Sequence, residues 1–328
     1  MNALQAVGTH NSYKLAIAPK EMALLRAANP RTADTLDYSH RPLAAQLDDG
    51  ARQLEIDLLL DPETGRYADP VFHRLAKDGD PYDFTALRKP GLKVLHAQDV
   101  DYRAVCNLFA DCLGEIRAWS QAHPDHVPLL ILLNLKEGPT GVPGGVVAPV
   151  FDAAAMDRID AEIRAAFPET ALITPDSVRG RHPTLKAAVA AGAWPTLGAA
   201  RGKVMFACDC PPEQVARYLG DRPSLEGRAA FVNIGEDAPA AAYITLNEPV
   251  EQQARIAAAV RAGLIVRTRA DADTVEARTG DRRRQAAAFA SGAQYVSTDY
   301  MQPDPRFPAY TARLPGGGVA RISPARSR

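Results

Sequence analysis

Glu55 and Asp57 stand two apart in the run Leu54-Glu55-Ile56-Asp57-Leu58. In an extended strand both carboxylates therefore share one face, and Leu54, Ile56 and Leu58 take the other. Two like charges held that close in a half-buried site are costly unless a cation or a shared proton offsets them. A hard divalent ion meets that need. Asn11 offers a neutral oxygen of the kind Ca2+ or Mg2+ accepts, whereas the lack of clustered thiolates or of a His-x-x-x-His pair argues against zinc. The competing reading is that Glu55 and Asp57 form ordinary ion pairs with arginines.

His10 and His96 each follow a short apolar run. Imidazole titrates near neutral pH, so two histidines at separate strand ends suit a reaction that needs one base and one acid. Either histidine alone reads more simply as a hydrogen-bonded structural residue; their shared placement beside a carboxylate pair favours chemistry. His40, His73, His123, His126 and His182 fall in loops or near helix ends and read as surface or capping residues. Lys136 and Arg267 would set positive charge where a phosphate's oxygens could be held. Their plainer alternative is salt bridging to Asp57, Asp209 or Asp299. Asp299 could instead orient His10 through the ring nitrogen not used in catalysis.

The elements that must position these groups are short apolar or β-branched runs separated by longer Ala-rich stretches. Strands are predicted at 4–7, 52–60, 92–95, 129–135, 204–207, 230–234, 264–266 and 295–297, with helices at 103–122, 152–167, 184–191, 212–219, 251–262 and 282–291. Eight strands with helical crossovers over about 300 residues fit a (β/α)8 TIM barrel, irregular in its second and third units. An open doubly wound sheet is the alternative, but no glycine-rich dinucleotide or P-loop signature follows any predicted strand. Barrels of this kind place chemistry at the carboxyl ends of the strands. Those ends are polar throughout: His10 and Asn11 on the first, Glu55 and Asp57 on the second, His96 on the third, Asn134 and Lys136 on the fourth. Asp209, Asn233, Arg267 and Asp299 follow on the remaining four. Residues 1–300 read as one domain, and the Pro-, Gly- and Arg-rich segment 301–328 as a tail that wraps the barrel or frays.

Composition narrows the function further. Thirty-eight Lys plus Arg against thirty-nine Asp plus Glu give a net charge of −1, so no global basic field exists to hold nucleic acid. The apolar run from Val127 to Leu133 falls far short of the roughly 20 residues of a spanning helix. The N-terminus lacks the basic and apolar regions of a secretory signal, which leaves a cytoplasmic chain or a mature form with its leader removed. Four cysteines are too few for a disulfide-built scaffold, and their spacing matches no zinc pattern. Cys106 and Cys112 can bond only if the helix predicted at 103–122 starts late, and the simpler reading is two small buried apolar residues.

Gly8-Thr9-His10-Asn11-Ser12-Tyr13, the Glu55-x-Asp57 strand and Lys93-Val94-Leu95-His96 resemble the catalytic region of phosphatidylinositol-specific phospholipase C, a barrel phosphodiesterase. More narrowly, Leu36-Asp37-Tyr38-Ser39-His40 with Gln46-Leu47, Ala97 to Tyr102, and Val296 to Tyr300 are similar to its calcium-dependent bacterial branch. The resemblance runs from Thr9 to about Tyr300. It implies calcium, with Mg2+ as a substitute, held by Asn11, Glu55, Asp57 and a fourth-strand residue, and proton transfers by His10 and His96. It further implies a phospholipid substrate at a membrane or micelle surface, a monomer, and a secreted or periplasmic address. Where such enzymes usually carry an acidic residue two before a Lys, this chain reads Asn134-Leu135-Lys136. Losing one negative charge there implies weaker calcium binding or recruitment of Glu137, which points to the opposite face of a regular strand. A glycerophosphodiesterase or sphingomyelinase D would share the barrel and Glu-x-Asp, but the former usually has His-Arg in place of His10-Asn11. A non-catalytic inositol phosphate or lipid-binding barrel with a decayed metal site is the remaining alternative.

Overall fold

Eight main strands build a curled parallel sheet: β1 Leu4–Thr9, β2 Gln53–Leu59, β3 Leu129–Lys136, β4 Val204–Cys208, β5 Ala230–Val232, β6 Tyr243–Thr245, β7 Ile265–Arg269 and β8 Tyr295–Thr298. The computed structural model describes residues 1–77 and 79–325. Hydrogen-bonded neighbours run β6-β7-β8-β1-β2-β3-β4, and β5 pairs with β4. A parallel bridge from Asn233 to Tyr243 links the end of β5 to the start of β6. The chain is an α/β fold on a curled parallel sheet, consistent with a TIM-like fold.

The wholly apolar stretch Leu129 to Leu133 explains why β3 sits mid-sheet: a parallel strand covered on both faces reads as an unbroken apolar run. Leu54, Ile56 and Leu58 of β2 join the same core, together with Phe109, Leu113 and Ile116 of the helix Phe109–Ala122. Helix ends follow local chemistry as well. Asp152 caps the helix Ala153–Ala166 by accepting from Ala155 N, and Thr184 caps Leu185–Ala190 in the same way.

Two expectations are corrected. The run at 92–95 forms only the two-residue strand Lys93–Val94, antiparallel to the carboxyl end of β2 through Leu58 and Leu59. A further parallel strand needs a crossover beneath the sheet. The chain leaving β2 instead returns antiparallel to it at Lys93–Val94, so β3 becomes the parallel neighbour of β2. The strand that completes the eight is β6 Tyr243–Thr245, which was not predicted: three residues beside the Ala-rich stretch 238–242 are too short to announce themselves. Second, Cys106 and Cys112 are disulfide-bonded with Cα atoms 5.4 Å apart. The helix does start late, because the Asn107 side chain donates to the carbonyls of Val94 and Tyr102 and keeps the preceding residues extended.

Above the carboxyl ends, helices Pro19–Ala28, Pro30–Thr35 and Val71–Leu75 form a cap whose own core includes Ile17, Leu25, Phe72 and Val100. Tyr310 is buried with its hydroxyl donating to Ala270 O and Asp271 Oδ2, and Arg321–Ile322 pairs antiparallel with the start of β1. Residues 326–328 lie outside the described residues.

Candidate active site

Strand β1 delivers His10, and a tight turn aims it. Asn11 takes a left-handed φ of 47°, a conformation its short polar side chain tolerates. Ser12 Oγ then accepts from Glu55 N at 2.8 Å and shares a 2.6 Å hydrogen bond with Thr9 Oγ1, which clamps the turn onto β2. His10 Nδ1 lies 2.8 Å from Asp299 Oδ1, and its Nε2 lies 3.6 Å from Glu55 Oε1. With Asp299 ionised, Nδ1 carries the proton and Nε2 presents a lone pair to the mouth. Burial, followed by Arg269, Arg267 and His96, holds the His10 imidazole well below its usual pKa, against the pull of Asp57. A neutral imidazole can take a proton.

The two carboxylates of β2 face the same point as Asn134. Register pairs Asp57 with Asn134, whose amide nitrogen donates to Glu55 Oε1 at 2.8 Å and Asp57 Oδ1 at 3.2 Å. Arg267 Nη2 binds Glu55 Oε2 at 2.6 Å, and Lys136 Nζ lies 2.9 Å from Asp57 Oδ2. Salt bridging of both cations thus goes to Glu55 and Asp57. Burial pushes the Glu55 carboxyl up to about 7, with Arg267 opposing and Asp57 adding to the rise. Asn11 turns its amide nitrogen to Tyr38 OH at 2.8 Å, which leaves its carbonyl oxygen for another partner. The donor set of two carboxylates and two amides fits a hard dication, since either amide can present oxygen by a half-turn of its terminal bond. Among the described residues no three His, Cys, Asp or Glu side chains gather into a metal-type cluster. Glu137 is elsewhere: it accepts from Arg217 at 2.6 Å and from Phe151 N.

His96 reaches the mouth from a loop, not from a main strand. The turn from Ala97 to Asp101 returns the chain on itself, so that His96 Nδ1 lies 2.9 Å from Asp101 Oδ2. Each histidine therefore has its Nδ1 on a buried aspartate. Burial raises the Asp101 carboxyl, but Lys14 and then His96 outweigh it and hold the group below its ordinary value. Asp209 accepts from Asn233 Nδ2 at 2.9 Å on the far side of the mouth.

Several residues at this site escaped the sequence reading. Arg269 sits 3.3 Å from Asp299 Oδ2, and period two from Arg267 on β7 could have revealed it. His40 is half-buried and meets the site: its Nε2 lies 2.8 Å from the His10 carbonyl oxygen and its ring meets Tyr38 edge-on. His126 is buried and bound to Ser120, and His73 lies 3.4 Å from Glu21, so neither is a cap. Tyr38 OH lies 3.3 Å from His10 Nδ1. Asp101 lay within the stretch Ala97 to Tyr102 that carries the resemblance, but its pairing with His96 carried no signal, because a five-residue separation means nothing until the turn is folded.

A family model described as Phosphoinositide phospholipase C, Ca2+-dependent, matches residues 1–324. Comparison with curated protein sequences found no match. Among solved structures, the chain is similar to a calcium-dependent phosphoinositol-specific phospholipase C from a Gram-negative Pseudomonas species in its apo form. That match has a TM-score of 0.58 and 17% identity over 98% of this chain and 94% of that one. The myoinositol complex from the same source gives a TM-score of 0.56 at 17% identity, with the same coverage. A Ca2+-dependent phosphatidylinositol-specific phospholipase C from Streptomyces antibioticus gives 0.57 at 20% identity, over 91% of this chain and 94% of that one. At such identities these structures speak for the fold.

Proposed function

The chain belongs to the calcium-dependent phosphoinositide phospholipase C family, whose members are phosphodiesterases, and on that premise we propose that it cleaves phosphatidylinositol-type phospholipids by acid-base catalysis between His10 and His96. The observation that carries this reading is the matched pair of imidazoles, each held at Nδ1 by a buried aspartate, beside the carboxylates of Glu55 and Asp57. We read the Asn233 to Tyr243 bridge as the seam that closes a full barrel, residues 1–300 as its single domain and 301–328 as a wrapping tail.

In this mechanism His10 Nε2 takes the proton of an inositol ring hydroxyl, whose oxygen attacks phosphorus. The bond from phosphorus to the glycerol oxygen breaks, and His96 gives that oxygen a proton. The first products are diacylglycerol and a cyclic inositol phosphate. Glu55, Asp57, Asn134 and Asn11 would hold the calcium ion, which when bound makes the hydroxyl more acidic and offsets phosphoryl charge. Lys136, 35% exposed at its side chain, and Arg267 add positive charge around the phosphoryl oxygens. Asp209 accepts from ring hydroxyls, and Asp299 holds the base in its tautomer.

A lipid surface suits the rim. Leu24, Leu75, Val147, Val150, Val250 and Val275 are exposed, and all belong to segments leaving the carboxyl ends of strands. No helix among the described residues is long and apolar enough to cross a membrane. A monomer working at a membrane from the secreted or periplasmic side fits this arrangement.

Turnover of phosphatidylinositol micelles, with calcium titrated against chelator, tests the reading. Calcium-dependent release of diacylglycerol supports it, and Mg2+ in place of calcium gauges ion selectivity. Preference for glycerophosphodiesters or sphingomyelin moves the chain to those chemistries, and inositol phosphate binding without turnover makes it a binding protein. Replacing Asn134→Asp restores a third carboxylate to the ion site and is expected to tighten calcium binding roughly tenfold by calorimetry. It should also lower the melting temperature in chelator, because a third like charge then faces Glu55 and Asp57. Unchanged affinity removes Asn134 from the ligand set.

A further inference from the structure

Lys14 is fully buried, which is unusual for an ammonium group and demands partners. Its Nζ donates to Tyr38 O at 2.9 Å and Leu15 O at 3.2 Å, and it lies 4.9 Å from the Tyr38 ring centroid. These acceptors stabilise the ammonium but leave its full charge unneutralised. The charge is met by Asp101 Oδ1, 3.3 Å away. The other oxygen of that carboxylate is the one on His96 Nδ1.

The backbone fixes this meeting place. Lys14 bridges Ala104 in antiparallel fashion, Leu15 N donates to Arg103 O, and Val105 N donates to Tyr13 O. The exit from β1 is thus zipped to the segment that follows Asp101. A buried carboxylate without a countercharge takes up a proton or swings toward water. With Lys14 against it, Asp101 stays ionised and keeps Oδ2 on Nδ1 of His96, which leaves Nε2 as the nitrogen for the proton transfer.

We propose that Lys14 is a positioning residue for His96, acting through Asp101. This rests on the assignment of His96 as the acid that protonates the leaving oxygen, and the test separates the two ideas. A diacylglycerol alkoxide needs that proton, whereas a p-nitrophenolate leaves without it. Activity of the full chain is compared on phosphatidylinositol and on p-nitrophenyl inositol phosphate for the parent, Lys14→Met and His96→Asn, with near-ultraviolet circular dichroism to check the fold.

Lys14→Met is expected to lose about 10²-fold on phosphatidylinositol and less than about tenfold on the aryl ester, in the same sense as His96→Asn. Equal losses on both substrates, or none, overturn the role of Lys14. If His96→Asn itself shows no such preference, the acid assignment fails instead. Lys14→Met with Asp101→Asn removes the stranded charge and serves where the single variant does not fold; the same substrate preference is expected of it. Failure of both variants to fold overturns the proposal in favour of a purely architectural lysine.

Discussion

Replacing His10→Asn is expected to lower kcat on phosphatidylinositol by about 10²- to 10⁴-fold, the usual worth of a general base. The amide keeps a donor toward Asp299 but has no basic nitrogen where Nε2 stood. Burial holds the native imidazole in its neutral form, which is the form the step requires. The loss should therefore fall on kcat, with KM and melting temperature little changed. Single-turnover rates with calcium saturating check this directly. A reduction below about tenfold would leave His10 without a part in the proton transfer.

The second large effect concerns stability. Arg267 is almost wholly buried and pairs with Glu55 at 2.6 Å, while its other nitrogen donates to Asn247 Oδ1 at 2.6 Å. Arg267→Met leaves a buried carboxyl beside Asp57 with its principal countercharge gone. Removing one partner of a buried pair costs about 3–5 kcal/mol. The sign with pH follows from the direction of the shift. Glu55 already has a folded value near 7, above the ordinary value of a glutamate, so its contribution favours folding below that ordinary value and is lost as pH rises toward 7. Without Arg267 the folded value rises further, so the variant should lose more stability at pH 8 than at pH 5. Denaturant unfolding in chelator at the two pH values measures the difference. Arg267→Met with Glu55→Gln should recover most of the loss, and added calcium should recover part of it in the single variant. A pH-independent loss, unrelieved by Glu55→Gln, would mean that packing and not charge explains the effect.

Much of the side-chain arrangement at the mouth was readable from residue order alone. Glu55 and Asp57 share a face because strand geometry alternates, and the unbroken apolar run Leu129 to Leu133 marks a covered strand with Asn134 and Lys136 at its end. Arg267 and Asp299 were legible for the same reason: a short apolar strand ends where its polar residues begin. These are local rules, and they need no knowledge of the rest of the chain.

What the residue order left open was decided by contacts distant in sequence. His96 was expected on a main strand, yet the Lys93–Val94 excursion and the turn to Asp101 carry it to the mouth. Tyr243–Thr245 is a strand because β7 offers it a pairing edge, which Ala-rich neighbours gave no reason to expect. The partners of both histidines come from far away in different senses: Asp299 lies 289 residues from His10, and Asp101 lies across a turn that no periodicity marks. Alternation and apolar runs set which way a side chain points from its own backbone. Which backbones come together depends on the summed burial of the whole sheet and its cap, and only the folded chain supplies that sum.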